Sequence, residues 1–462
     1  MPRGVKYQHT KIIATIGPSS FKRSVLRSLL QSGIDICRLN TAHGTLKEHK
    51  NLIKLIRSTA RGLQKEVGIL LDLPGPKLRL PALPEPVVLT RSHRVALSWG
   101  KTLSLKDSVI LQVPKILAKV LKKNSVVAID DGKILLKINK TSSTYASASV
   151  LSGGEITSHK GISVLGEDLP LASLTEQDLE ALALGKEVDF VAVSFVKKGS
   201  DIERVRRKVK TICKGRKIKP AVIAKIETKS AVKNIEGIIK SADGIMIARG
   251  DLGLALEPED LPLVQKDIIE KSRLVLKPVI VATQMLDSMT VNILPTRAEI
   301  SDVANAVIDH TDAVMLSGET ASGRWPKEAV RLMSKIAEKT EASKYDNLPL
   351  VKLRTRYSSY DAYVHLLASF IQKHKVRILV NEEGDESLTK LIAKHRLEAL
   401  QIVPCKSMDE ARQLSIIWGV VPVVNKDIKT FLLKEKIVKS REFVLHIGFH
   451  NKDKSYMRLE RV

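Results

Sequence analysis

The sequence predicts an α/β fold: a TIM (β/α)8 barrel with a small β-domain inserted as a lid after strand 3, and a C-terminal α/β domain. Three observations carry this expectation. Eight short apolar runs recur, each ending in polar or glycine-containing sequence and most followed by a helical pattern. The spacing is broken once, between the third and fourth runs, by a long stretch that alternates apolar and polar residues. After about residue 345 the strand–helix alternation resumes as a separate series.

The eight barrel runs are KIIATIG from Lys11, IDICRLNTAHG from Ile34, VGILLDLPGP from Val67, DFVAVSFV from Asp189, AVIAKIET from Ala221, GIMIARGDLG from Gly244, PVIVATQML from Pro278 and DAVMLSGET from Asp312. In the inserted stretch RVALSW, SVVAIDDGKILLKI and YASASVL surround the turn signals DDG and SGG, as strands of a small β-domain do. RILVNEE, ALQIVPC, VVPVV and FVLHIGFH are the expected strands of the last domain. The expected division is 1–76 and 166–345 for the two parts of the barrel, 77–165 for the lid and 346–462 for the C-terminal domain.

At 44% hydrophobic residues, with 25 Gly and 18 Pro scattered along 462 residues, the chain reads as globular throughout. Cys37, Cys213 and Cys405 are too far apart for a Cys-x-x-Cys motif and read as free thiols in a reducing compartment. The N-terminal MPRGVKYQHTKIIATIG has no apolar signal core, and no run of about 18 uncharged apolar residues occurs, so a cytoplasmic protein without a membrane partner is expected. The net charge of +26 raises the question of nucleic acid, most sharply at ERVRRKVKTICKGRKIKP from Glu203, with nine Lys or Arg in eighteen residues. No zinc-finger, RRM or helix-turn-helix pattern accompanies it; a solvated outer helix is the expected reading, and nucleic acid is not expected as a partner. A basic surface can also speed the approach of anionic substrates.

AVIAKIET begins like a buried strand and then places Lys225 and Glu227 two residues apart, on one face. A barrel keeps its catalytic groups at the carboxyl ends of its strands, and the other runs end in Arg38 and Asn40, Arg249 to Asp251, Thr283, and Ser317 and Glu319. Glu227 and Asp251, from neighbouring strands, suit a hard divalent cation such as Mg²⁺ or Mn²⁺. With Lys225 and Arg38 beside them, the set suits phosphoryl transfer, in which positioning and neutralisation of oxygens do the catalysis. Gly250, at a short helix start, would let backbone N–H groups approach an anion.

AKIET, IARGDLG, VATQML, PTRAEISDVANAV and MLSGETASG, in this order and spacing, together with NTAHG, DLPGPKLR and AIDDG, resemble pyruvate kinase essentially end to end. The resemblance implies transfer of a phosphoryl group from phosphoenolpyruvate to ADP, giving pyruvate and ATP in glycolysis, with a divalent metal. It implies that Lys225 stabilises the phosphoryl group in flight, that Arg38 contacts its oxygens, and that Glu227 and Asp251 hold the metal. Gly250, Asp251 and Thr283 would meet the carboxylate end of phosphoenolpyruvate, and Ser317 and Glu319 would join a water chain that protonates the enolate. Arg79, His43, Lys160 and Asn40 would face the nucleotide, and the family is usually tetrameric. Two other readings are a different phosphoenolpyruvate or pyruvate enzyme on this barrel, and a catalytically impaired homologue with a binding role; the lid motifs and the complete metal pair speak against them.

The sequence departs from the family at two places. Where many pyruvate kinases ligate K⁺ through an Asn and a Ser in NFSHG and an Asp and a Thr in DTKGPE, this chain has Asn40, Ala42, Asp72 and Leu73, and the Glu that follows is Lys77. K⁺ is therefore not expected to be required. Where the family's sugar-bisphosphate loop is rich in Ser and Thr with an Arg, residues 381–386 read NEEGDE.

Overall fold

The computed structural model describes residues 8–100, 108–346, 348, 359–424, 427–438, 442–450 and 454–461. Eight parallel strands close into a barrel: Lys11–Thr15, Ile34–Asn40, Gly68–Leu73, Phe190–Val193, Ala221–Ile226, Gly244–Ala248, Val279–Ala282 and Ala313–Leu316, called strands one to eight below. Each pairs with its neighbours in chain order, and strand eight closes on strand one with Ala313 opposite Lys11. All eight apolar runs therefore form strands. Burial on both faces explains why the runs are unbroken. Ile13, Ile36, Leu70, Phe190, Ile223, Met246 and Ile280 belong to one buried cluster. Ile12, Ile69, Val191, Val222, Ile245 and Val281 pack into another with the surrounding helices. Each such side chain contributes about 1.5–3 kcal/mol when fully buried.

The first cluster continues into Val403, Leu414, Ile416, Ile417 and Val420 of the C-terminal region. Those residues plug the amino end of the barrel, where Lys11 Nζ donates to the Val420 carbonyl at 2.7 Å. Buried Arg396 secures the seam, donating to Asp312 Oδ1 at 2.9 Å and to the His310 carbonyl at 2.7 Å. With that end sealed, the carboxyl ends of the strands are left for chemistry.

Between strands three and four lies a six-stranded sheet in the order Ile162–Val164, Val126–Ile129, Ile134–Thr141, Tyr145–Ser152, Arg94–Ser98, Ser108–Gln112, with a separate pair, Val87–Leu89 and Gly154–Ile156. The strands at 87–89, 108–112, 154–156 and 162–164 were not expected; segments of three to five residues hold too few repeats of a period-two pattern to be read. The C-terminal sheet runs Val420–Val424, Leu400–Cys405, Ile378–Asn381, Phe443–His450, Lys454–Arg461, parallel except for the last pair. Lys454–Arg461 also escaped the sequence reading, because KSYMRLER is mostly polar and forms a strand by pairing across a hairpin. Among the described residues no helix is long and apolar enough to cross a membrane.

Local capping fixes two segments near the site. The helix Leu46–Arg61 starts with a capping box: Glu48 N donates to Thr45 Oγ1 at 3.3 Å and Thr45 N donates to Glu48 Oε2 at 2.7 Å, which anchors the loop after strand two. Thr296 and Glu299 make the same box at the start of the helix Arg297–Ile308, and Ser288 N donates to Glu299 as well.

Candidate active site

Lys225, near the end of strand five, turns its ammonium into the barrel mouth. Its Nζ lies 2.9 Å from Glu227 Oε1 and donates to Ser194 Oγ at 2.6 Å. Asp72 Oδ1, otherwise without a hydrogen-bond partner, is 3.1 Å away. The other oxygen of Asp72 accepts from Arg38 Nε at 2.7 Å, and Arg38 Nη1 donates to Thr15 Oγ1 at 2.8 Å. The ends of strands two, three and five thus supply two cations and two carboxylates in alternation, and strands one and four add the hydroxyls of Thr15 and Ser194. Burial works to lower the Lys225 pKa, but Asp72 and Glu227 outweigh it and push the group above its ordinary value. For Asp72 burial works upward, and Lys225 and Arg38 hold it below the usual carboxylate range. Lys225 is therefore a fixed positive charge. Buried ionic clusters are poor stabilisers, and their concentration at one end of a barrel points to a functional site.

Backbone geometry places these groups. Gly75, at φ +63°, brings the end of strand three so close to strand four that an added Cβ would sit 2.8 Å from Ser194 Cβ. Ser194 Oγ donates to the Leu73 carbonyl at 2.7 Å, and the same oxygen receives Lys225. Phe195, at φ 52°, turns its N–H onto Glu227 Oε2 at 2.7 Å.

Glu227 and Asp251 are the candidate metal carboxylates. Burial pushes the Glu227 carboxyl above its usual range, and the Asp251 charge adds to that. A divalent cation relieves both effects. A cavity of about 70 Å³ is lined by Lys77, Asp131, Phe195, Glu227 and Asp251, with room for an ion and a few waters. Among the described residues no group of three or more His, Cys, Asp or Glu converges to hold a metal. Two carboxylates with open coordination fit Mg²⁺, which keeps waters and substrate oxygens, better than a cation that needs a full protein cage.

Thr283 and Gln284, which follow strand seven, sit at φ 68° and 53°, a region that a β-branched residue rarely adopts. Arg249 holds them there, donating to the Thr283 and Gln284 carbonyls at 3.0 and 3.3 Å while ion-paired with Asp302 at 2.6 Å. Gly250 N donates to Thr283 Oγ1 at 2.8 Å, so these two candidate residues are adjacent. Strained backbone maintained by a buried arginine is typical of a binding site. After strand eight, Glu319 accepts from Leu286 N at 3.1 Å and Ser317 N at 2.7 Å, and Ser317 Oγ is buried without a partner. In this arrangement Glu319 braces the loops on which Thr283 and Ser317 stand.

The candidate nucleotide residues lie farther out. Asn40 Oδ1 accepts from Ala42 N at 3.2 Å, and His43 is exposed on the loop. Arg79 pairs with Gly161 where the lid joins the barrel, and its Nη1 donates to the His159 carbonyl at 3.0 Å. Lys160 is ion-paired with Asp130 at 2.8 Å. Lys77 is not a solvated side chain: its Nζ donates to Asp251 Oδ1 at 2.9 Å and to Asp131 Oδ1 at 3.2 Å. Sequence reasoning missed Ser194 and Phe195 as site residues, and it placed Arg249 at a strand end without foreseeing its hold on the Thr283 and Gln284 carbonyls. A polar residue at the end of the apolar run DFVAVS was the only available signal for the first.

Residues 7–330 match the family model described as pyruvate kinase, barrel domain. The chain belongs to the pyruvate kinase family. It is accordingly a phosphotransferase of the kinase class. A pyruvate kinase of Sporosarcina psychrophila is 37% identical over 440 residues, covering 93% of this chain and 74% of that protein. One from Staphylococcus aureus strain MRSA252 is 38% identical over 429 residues, covering 91% and 72%. A crystal structure of a pyruvate kinase from Cryptosporidium parvum superposes with a TM-score of 0.86 at 29% identity, over 98% of this chain and 96% of that one.

Proposed function

We propose that this pyruvate kinase family member transfers the phosphoryl group of phosphoenolpyruvate to ADP with Mg²⁺ or Mn²⁺ at Glu227 and Asp251, and that the Lys77 ammonium makes K⁺ unnecessary. The observation that carries the reading is the buried set Arg38, Asp72, Lys225 and Glu227 at the mouth of the barrel. In phosphoryl transfer negative charge spreads over the oxygens of the moving group, and preorganised cations stabilise it more in the transition state than before. Lys225 and Arg38 are such cations, oriented in advance by Asp72 and Ser194. A divalent metal, when bound, neutralises phosphoryl oxygens and orients the enol phosphate. Gly250, Asp251 and Thr283 receive the carboxylate end of the substrate, and Ser317, held by Glu319, belongs to the path that delivers a proton to the enolate. Asn40, His43, Arg79 and Lys160 face the nucleotide across the lid junction. A cytoplasmic homotetramer working in glycolysis, divided at 76/77, 165/166 and 345/346, completes the proposal.

The K⁺ reading is supported by the state of the oxygens that remain. Asp72 is taken up by Arg38 and Lys225, Asn40 Oδ1 by Ala42 N, and Leu73 is buried and apolar. A monovalent cation needs several free oxygens to replace its hydration, and Lys77 already brings a tethered positive charge to Asp251. Lys77→Glu, made together with Ala42→Ser and Leu73→Thr to rebuild the ligands, is expected to create a K⁺ requirement in steady-state assays. A triple variant whose turnover is indifferent to K⁺ would contradict the assignment of Lys77.

Residues 381–386 support a second expectation. Glu382 accepts from His446 Nδ1 at 2.8 Å, from Arg458 Nη2 at 3.0 Å and from the Tyr456 hydroxyl, while Asp385 caps the helix Glu386–Lys394. The donors that could greet a phosphate already serve a carboxylate. Fructose bisphosphate should leave the phosphoenolpyruvate saturation curve unchanged. Activation that disappears in Glu382→Gln/Glu383→Gln would refute this.

A further inference from the structure

The lid turn Asp130–Asp131–Gly132 joins the strands Val126–Ile129 and Ile134–Thr141, and all three residues have positive φ, at 54°, 53° and 90°. Two successive non-glycine residues in the left-handed region carry strain, which Asp tolerates better than most residues. The strain divides two neighbouring carboxylates between different tasks. Asp130 stays within the lid, paired with Lys160 at 2.8 Å and Lys133 at 3.0 Å. Asp131 turns the other way, to Lys77 Nζ at the junction of lid and barrel, 3.2 Å away. The same turn lands on the helix Arg249–Ala255, which carries Asp251: an added Cβ on Gly132 would sit 3.2 Å from Leu254 Cδ2, and Gly166 N donates to the Leu254 carbonyl at 3.1 Å.

Lys77 therefore stands between one carboxylate on the lid and one on the barrel, and the barrel carboxylate is a proposed metal ligand. A cation on Asp251 and an ammonium on the same group repel each other. We infer that Asp131 is a positioning residue, the counter-ion that keeps the Lys77 ammonium on the lid side of the site when a divalent cation occupies Asp251. It can do so only with the lid down, so it ties metal binding to lid closure. This inference rests on the metal reading of Glu227 and Asp251.

The test is Mn²⁺ binding followed by electron paramagnetic resonance, without substrates, on the full chain. Four proteins are compared with the wild type: Asp131→Asn, Lys77→Met, the double variant and Glu227→Gln. Asn is as well suited to the left-handed turn as Asp, so the lid fold is retained. Asp131→Asn alone is expected to weaken Mn²⁺ binding by about tenfold, because Lys77 then leans on Asp251 alone and opposes the ion. In the Lys77→Met background the same change should cost less than about twofold, since no ammonium remains to be held. Unchanged binding in Asp131→Asn, or equal weakening in both backgrounds, overturns the role of Asp131 while Glu227→Gln still loses the ion. Failure of the wild type to bind Mn²⁺, or full binding by Glu227→Gln, overturns the metal reading and this inference with it.

Discussion

Lys225→Met is expected to lower turnover by about 10² to 10³, the usual consequence of losing one preorganised electrostatic donor. Met matches the length of the lysine stem, but it offers nothing to the charge that develops on the moving phosphoryl group. The loss should appear in kcat, because the ammonium matters most when that charge is spread over the oxygens. Asp72 and Glu227 would keep their other partners, Arg38 and the Phe195 N–H. They would nevertheless lose a counter-ion in a buried setting, which costs roughly 3–5 kcal/mol of stability when a buried pair is broken. Thermal unfolding should therefore accompany the kinetics, so that the assay is made where the variant is folded. Mn²⁺ binding should be largely retained, since Lys225 does not ligate the ion. Turnover within tenfold of the wild type in a folded variant would remove Lys225 from the mechanism.

Glu227→Gln should raise the half-saturating Mg²⁺ concentration by about tenfold or more, because it removes the charge of one of the two carboxylates proposed to hold the ion. The substitution is conservative in shape, and its amide oxygen can still accept the Phe195 N–H. Loss of charge is then the main change. A kinetic titration of Mg²⁺ at saturating substrates separates this outcome from a general loss of rate: the requirement moves, and much of the maximal turnover returns at high metal. An unchanged half-saturation would place the ion elsewhere.

The barrel was legible because strands buried on both faces leave unbroken apolar runs, and Lys225 with Glu227 was legible because charge interrupts one of them. Asp251, Thr283 and Ser317 could be proposed for the same reason, as polar residues at strand ends. What could not be read are features created by chain crossings. Ser194 meets Lys225 only because Gly75 lets strands three and four approach, and Asp131 meets Lys77 only because a strained lid turn descends on the helix of Asp251. Left-handed backbone at Thr283 leaves no trace in composition, since a β-branched residue is the last one to suggest it. The C-terminal strand Lys454–Arg461 was hidden for a related reason: its partner, rather than its own pattern, makes it a strand.

We propose that a tethered ammonium on Lys77 does the work of a monovalent cation. Its most direct test is steady-state turnover of the wild-type chain with phosphoenolpyruvate, ADP and Mg²⁺ in tetramethylammonium or Tris buffer free of K⁺ and Na⁺, with K⁺ then added at constant ionic strength so that screening does not change. The prediction is full turnover before K⁺ is added and a change of less than about twofold afterwards, as expected when the position already carries a charge. A rise of about tenfold or more on adding K⁺ would contradict it, because no charge fixed at Lys77 could then be substituting for the ion.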